Sequence, residues 1–397
     1  MQYDVPYAWD QELYESCVQE FQERRGARSE AQKKQSLNRA DAEHGVKLLA
    51  KTQLKLKDRE WKPAKPLQPI MIHGDNELFD EGPFGIYLLR MIQKTKPDYL
   101  YLHVERTFEE MQEWQQKYYQ PGEEFELCDL KAQDVTTSGW ALVYMTRMFE
   151  FFNFPKDFQI RFAERKMHKR VGKHVLSIMT DPGEIFTWPI NTLSNGGREC
   201  AKHNLPPGVP MQLAGDDMQR RTGYKVCEEY KTRFQKIDPT TEKRFVTNVG
   251  AFCSYTTRQG VVYKDPILLL KRFLVKISSG KGELSALGYW DLWVTNYLKR
   301  ETLFSVMTIE EQQAHQILTR IFFNLKKHGI RLKPDWSKLN AVGEEDPVSE
   351  SFWDAQNMIL DYAQHGEMAW SAVEPQEVRI RQSEANSGGV NPHLFEL

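Results

Sequence analysis

The sequence predicts an α+β chain in which a first two thirds containing strands is followed by a helical last third. Three observations carry that expectation. The apolar stretch around Phe125–Leu130 delivers an aspartate, Asp129, as a strand does when it carries a carboxylate at its tip. Val209 to Met218 reads strand–turn–strand about Gly215-Asp216-Asp217. Thr308-Ile-Glu-Glu311 is a capping box, in which a hydroxyl and a carboxylate satisfy free amides of a first helical turn.

The other elements follow in order. Residues 1–44 are polar and charged, and residues 45–65 are basic, with Lys47, Lys51, Lys55, Lys57, Arg59, Lys62 and Lys65 against Asp58 and Glu60. Trp140, Tyr144, Met148 and Phe151 recur at helical spacing, and Pro155 is expected to stop that helix. A second basic run, Arg161 to Lys173, suits either a nucleic-acid channel or an exposed helix. Residues 183–200 read as a loop and then a helix, with Pro189 tolerated in the first turn. Phe252–Tyr255 and Val261–Tyr263 are expected to form a hairpin. Ile317, Leu318, Ile321, Phe322 and Leu325 form an apolar stripe that Gly329 can close. Phe352, Trp353, Ile359 and Leu360 suit core packing, and the tail from about Gln376 is expected to be disordered.

Bulk properties narrow the function. At 397 residues and 40% hydrophobic, the chain can bury a large core, and its length suggests two or three subdomains. A net charge of −2 excludes a simple basic coat for nucleic acid. Five scattered cysteines without a CxxC pair disfavour a disulfide framework and a structural zinc site. No apolar run has the length of a membrane helix and the N-terminus lacks a signal-peptide core, so any membrane association is expected to come through a partner or another part of a larger polyprotein.

The carboxylates carry the chemistry. Adjacent Asp216 and Asp217 repel each other, and a hairpin turn tolerates them when a cation sits between them and a third carboxylate, for which Asp129 is the candidate. Such a set suits magnesium, which prefers oxygen ligands and keeps bound water. A pair of ions held this way activates an attacking hydroxyl and stabilises a leaving phosphate. Asp134 is placed to hydrogen-bond a nucleotide sugar. Gly183 permits close approach to a substrate backbone. Thr187 and Asn191, four apart, share a helix face that suits a ribose 2′-OH.

Asp129-x4-Asp134, then Gly183-x3-Thr187-x3-Asn191, then Gly215-Asp216-Asp217 resembles motifs A, B and C of the RNA-dependent RNA polymerases of the alphavirus-like supergroup of positive-strand RNA viruses. The look is closest to tymovirus and flexivirus replicases and their fungal-virus relatives. Asp134-Val-Thr136-Thr-Ser-Gly139 resembles the family's Asp-x-Ser-x-x-Gly. Phe252-Cys253-Ser254 with Gly260 to Pro266 resembles its motif E, and Lys51 to Arg59 with Ala64-Lys65-Pro66 its motif F. The likeness spans roughly residues 45–275. Pro182, Gln133 and Ser254 depart from the family's usual Ser or Thr, Phe and Gly.

This resemblance implies a right-hand polymerase with fingers, a palm built on an antiparallel sheet, and a helical thumb. It assigns 1–120 to the N-terminal region and fingers with motif F at 45–70, 121–150 to palm motif A and 151–180 to a fingers insertion. It gives 181–266 to palm motifs B to E, 267–375 to the thumb and 376–397 to a tail. It further implies template-directed nucleotidyl transfer with Mg2+, or Mn2+, on Asp129, Asp216 and Asp217. Lys55, Lys57, Arg59 and Lys65 would meet the triphosphate of the incoming nucleotide. A general-acid lysine is implied as well, with Lys236 the first choice and Lys231 the second. The implied partners are RNA template and nascent strand, nucleoside triphosphates, and capping and helicase domains. The implied location is a membrane-associated replication complex in host cytoplasm. Two rivals remain: a reverse transcriptase, disfavoured by the ribose-reading pair Asp134 and Asn191, and an inactive RNA-binding or scaffold subunit, disfavoured by the three acids.

Overall fold

The computed structural model describes residues 6–26, 45–50, 69–131, 133–136, 139–171, 173–176, 178–234, 241–278 and 282–327. These fall into two compact units, one running up to Cys253 and one from Ser254 onward. Lys55, Lys57, Arg59, Lys65, Lys236, Gly329, the apolar residues at 352–360 and the tail lie outside the described residues.

In the first unit, helix α1 (Gln11–Gly26) packs on α2 (Asp75–Thr95), with the two-stranded β1 (Lys47–Ala50) and β2 (Pro69–Ile72) between them in the chain. Then come β3 (Leu100–Leu102), α3 (Phe108–Tyr118), β4 (Phe125–Lys131), the single turn α4 (Gln133–Thr136), α5 (Gly139–Phe151) and α6 (Lys156–His168). The short ribbon β5 (Arg170–Val171) and β6 (His174–Val175) leads to α7 (Thr187–His203). After it run β7 (Met211–Ala214), β8 (Asp217–Arg221), a π-helical turn at Tyr230–Phe234, β9 (Thr241–Thr247) and β10 (Val249–Phe252).

The helical spacing read in residues 140–152 is α5 almost to the residue. Pro155 does not end it: the chain turns at Asn153, whose φ is +51°, and Pro155 is the N-cap of α6. A proline suits that place because a first-turn amide has no helical partner to lose.

Five strands form one sheet in the order β3-β7-β8-β4-β9. The sheet is mixed, not the purely antiparallel one expected, because β3 runs parallel to β7. Alternation along the strands sorts its faces. Leu100, Leu102, Cys128, Leu130, Met211, Leu213 and Met218 lie on one face and join the main core with Met145, Phe149, Phe158, Phe162 and Phe186. The opposite face carries Leu127, Asp129, Gln212, Asp217, Gln219 and Lys243. Part of it is covered by α3, whose buried Gln115 donates to Gln212.

Helix α7 is fastened to the core face by charge. Glu199 is fully buried and accepts from Arg220 of β8 (3.2 Å) and from Arg244 of β9 (2.5 Å), while Glu126 of β4 pairs with the same two arginines at 2.8 and 2.6 Å. Burial pushes the Glu199 carboxyl up, but the hydrogen bond and charge of Arg244, with the charge of Arg220, hold it below the usual range.

The second unit opens with the hairpin of β11 (Tyr255–Arg258) and β12 (Val261–Lys264). The expected partner stretch Phe252–Tyr255 is not a strand, because Cys253 and Ser254 adopt φ of +51° and +63° and turn the chain. Helices α8 (Pro266–Ser278), α9 (Gly282–Leu298), α10 (Arg300–Val306) and α11 (Ile309–Lys327) follow. Trp290, Trp293, Phe273, Leu318 and Phe322 form their core. The capping box is present: the Thr308 amide donates to Glu311 (2.8 Å) and the Glu311 amide to the Thr308 hydroxyl (3.2 Å). Glu311 does more than cap, since it also accepts from Arg258 (2.7 Å) and Tyr263 (3.0 Å) of the hairpin.

Candidate active site

The register of the sheet brings the two acidic stretches together. Asp129 of β4 is the cross-strand partner of Asp217 of β8, and Asp217 is also paired with Ala214 across the turn that holds Gly215 and Asp216. Directly paired residues project from the same face, so Asp129 and Asp217 stand side by side. All three aspartates are half-buried. Gly215 makes the turn possible with φ of +62°, a conformation that costs a residue with a Cβ.

Three hard oxygen donors at one sheet end fit a divalent ion. Like charges directly opposite each other on a sheet are destabilising, and a cation there reverses the sign. The trio is not among the groups of described residues whose ligand atoms all come within 4.8 Å of one another; those are Glu77–Glu81–Glu184 and Cys128–Glu199–Glu242. Both of those are already occupied by protein cations. Lys169 lies 3.2 Å from Glu77 and 3.6 Å from Glu184, Arg165 lies 2.9 Å from Glu81, and Arg244 and Lys202 hold Glu242.

The sugar-reading candidates are partly assembled. Asn191, 7% exposed on α7, donates from Nδ2 to Asp134 Oδ1 at 2.6 Å, while its Oδ1 is buried without a partner. Gln133 is buried, and its Nε2 donates to the Asn191 carbonyl (3.0 Å) and the Ser194 hydroxyl (3.4 Å). The unusual glutamine thus ties the turn that carries Asp134 to α7. Thr187 is the first residue of α7, one turn before Asn191, but its hydroxyl donates to the Asp181 carbonyl and holds the loop, not the Asp134–Asn191 pair.

Gly183 sits in that loop with φ of +102°, and a Cβ there would lie 2.7 Å from the Met71 carbonyl oxygen. The Met71 amide donates to the Pro182 carbonyl (2.8 Å), so the loop is docked on β2. On either side, Asp181 and Glu184 enter a buried ion cluster with Lys166 and Lys169; Lys169 lies 2.6 Å and Lys166 3.2 Å from Asp181. Lys166 and Lys169 are therefore inside the fold and not on a template channel, and Arg161 and Arg165 are paired with Asp80 at 3.1 and 2.6 Å. The charges of Lys166 and Lys169 outweigh burial and lower the Asp181 carboxyl. Glu81, at the far side of the cluster, is pushed up to about 8 by burial and by the charge of Glu184.

Sequence reading missed several residues. Lys243 of β9 is paired with Asp129 on the side away from Asp217, and it is exposed on that same face. Lys231 instead pairs with Glu228 at 2.6 Å in an exposed turn. Thr192 and Asn195 of α7 reach the acidic turn itself. Their signal was present in the spacing, since 191, 192 and 195 fall on neighbouring faces of one helix. Cys128 is buried with its thiol pushed up to about 12 by burial, which suits a packing residue and not a nucleophile.

No family model matches the chain. It is 27% identical over 345 residues, 85% of its length, to an RNA-directed RNA polymerase of Apple chlorotic leaf spot virus. It is 26% identical over 340 residues, 84% of its length, to an RNA replication protein of Strawberry mild yellow edge-associated virus. Over 246 residues, 62% of its length, it is 26% identical to an RNA replication protein of Botrytis virus F. It spans 18%, 26% and 13% of those relatives' own lengths. The chain is thus homologous, across most of its length, to RNA-directed RNA polymerases and replication proteins of flexiviruses and related viruses.

Proposed function

We propose that this chain is the polymerase region of a viral replicase, copying RNA from an RNA template with divalent metal held by Asp129, Asp216 and Asp217. The observation that carries the reading is the pairing of Asp129 with Asp217 beside the Gly215-Asp216 turn. The homologues' names support the reaction, and the register of β4 against β8 supports this choice of site. In this reading the fold is a right-hand polymerase, with the five-stranded sheet as its palm.

Bound metal would lower the pKa of the attacking hydroxyl and neutralise the departing pyrophosphate. The chain's own groups do the rest. Asp134 orients the Asn191 amide, which leaves the buried Asn191 Oδ1 as an acceptor for a sugar hydroxyl, the group that separates ribose from deoxyribose. Lys243, one strand from Asp129, joins Lys236, which lies outside the described residues, and Lys231 as a candidate for the group that protonates the leaving pyrophosphate. Magnesium is the expected ion because the donors are all carboxylates. The capping and helicase partners and a membrane-associated replication site in the host cytoplasm remain part of the same proposal. Within the described residues no helix is long and apolar enough to cross a membrane.

Primer extension on a homopolymer RNA template, with purified protein and Mg2+, tests the reading. It expects incorporation of the complementary ribonucleotide, with strong preference over its deoxy form and a loss of that preference in Asn191→Ala. Extension with deoxynucleotides as efficient as with ribonucleotides would favour the reverse transcriptase. Intact RNA binding without any incorporation would favour the inactive subunit.

A further inference from the structure

The acidic turn is held from one side by a single helix. The Gly215 amide donates to the Thr192 hydroxyl at 2.8 Å. Asn195 Nδ2 donates to the carbonyls of Gly215 (3.2 Å) and Asp216 (3.4 Å). Both side chains are fully buried. Asn195 is itself oriented, because its Oδ1 accepts from Arg198 at 3.0 Å. These three hydrogen bonds add to the strand ladders that position the turn.

The helix is a firm reference. Asn195 is four residues before Glu199, whose buried pairs with Arg220 and Arg244 fasten α7 to the sheet. Asn191, four residues the other way, holds Asp134. One helix face thus reaches the sugar-reading pair and the metal-binding turn in successive turns.

We propose that Thr192 and Asn195 are positioning residues that set Asp216 against Asp129 and so fix the geometry of the metal site. This rests on the polymerase reading above. They touch neither metal nor substrate; they act through the main chain of Gly215 and Asp216. Magnesium demands near-octahedral geometry, so a displaced turn weakens binding before it alters anything else. Groups that orient metal ligands in this way typically cost 10–100-fold in metal affinity when removed.

The test is Mn2+ binding by the full chain without RNA or nucleotide, followed by electron paramagnetic resonance, with Asp216→Asn to mark the contribution of other sites. Thr192→Val removes the acceptor at nearly constant shape, Thr192→Ser retains it, and Asn195→Ala removes the clamp on both carbonyls. The valine and alanine variants are expected to bind Mn2+ about 10-fold more weakly. They should raise the Mg2+ needed for half-maximal incorporation by a similar factor, with nucleotide KM at saturating metal nearly unchanged. Thr192→Ser should bind as wild type does. Wild-type Mn2+ affinity in Thr192→Val, or a serine variant as impaired as the valine, would overturn the assignment. If Asn195→Ala does not fold, the valine and serine pair decides alone. A wild-type chain that neither binds Mn2+ at Asp216 nor incorporates nucleotides would instead defeat the polymerase reading itself.

Discussion

Two acidic clusters lie in the same unit and have opposite chemistry. At the end of the sheet, Asp129, Asp216 and Asp217 are half-buried and stand as like charges on neighbouring strands. Beside the Pro182-Gly183 loop, Glu77, Glu81, Asp181 and Glu184 are matched by Lys166, Lys169 and Arg165 inside the fold. The second cluster is built with its own cations, while the first sets carboxylates opposite each other across two strands. The difference shows that acidity alone does not mark a metal site. What matters is whether lysine and arginine from a neighbouring helix already fill the space. Here α6 supplies Arg165 and Lys166, with Lys169 just beyond its end, whereas at the aspartates the sheet places Lys243 of β9 in the register position beside Asp129.

The comparison breaks most sharply on activity. Asp216→Asn should reduce nucleotide incorporation by on the order of 10³-fold or more, since it weakens electrostatic stabilisation at the reacting centre, while the fold survives. Single-nucleotide extension together with circular dichroism checks both halves. Near-normal incorporation would move the metal elsewhere.

The buried cluster should respond in stability. Lys169→Ala strands Asp181, Glu77 and Glu184 without a charge that all three approach, and removal of one partner from a buried pair costs about 3–5 kcal/mol. Urea unfolding measures this. A loss below about 1 kcal/mol would mean that the cluster is wetter than its burial indicates.

The two clusters also part in their response to pH. Glu81 is raised to about 8 by burial, so the folded chain holds a proton that the unfolded chain releases near 4.5. Stability from this group is full below about 4.5 and declines as pH rises to about 8. Glu77 runs the other way. Burial raises it, but the His73 hydrogen bond and the Lys169 charge bring it down to about 2, so its contribution is lost as pH falls from about 4.5 to about 2. From pH 5 to 8.5 the stability of the wild type relative to Glu81→Gln should fall with pH. Parallel profiles would remove Glu81 as the cause.

The smallest effect has the opposite sign. Asp217→Asn relieves the cross-strand repulsion with Asp129 and should stabilise the metal-free chain by about 0.2–1 kcal/mol. A thermal scan in chelator reads it, and a lowered Tm would show that the paired aspartates are already compensated.

Much of this contrast was legible in the sequence for one cluster and not for the other. Asp129 and Asp217 lie on strands, with Gly215 and Asp216 in the hairpin turn that the glycine revealed, but β4 runs on to Lys131, two residues past the aspartate expected at its tip. The capping box at Thr308 declared itself because its partners are three residues apart. The buried cluster was hidden because its partners are far apart in sequence. Arg165 meets Glu81 across 84 positions and Lys169 meets Glu77 across 92, so the run from Arg161 to Lys173 suited a nucleic-acid channel or an exposed helix equally, and its buried pairs were not visible. Lys243 was hidden for the same reason: only the β4–β9 register carries it to Asp129. Likewise Asn195 was unremarkable until α7 was seen to lie under the turn. Local rules find what neighbours in sequence do, whereas long-range charge pairing is fixed by packing.

Mn2+ can be located by anomalous scattering in crystals of this chain. Density is expected beside Asp129 and the Gly215–Asp217 turn, and none among Glu77, Glu81 and Glu184. Ions in the glutamate cluster and an empty aspartate turn, at Mn2+ concentrations that support incorporation, would contradict that expectation.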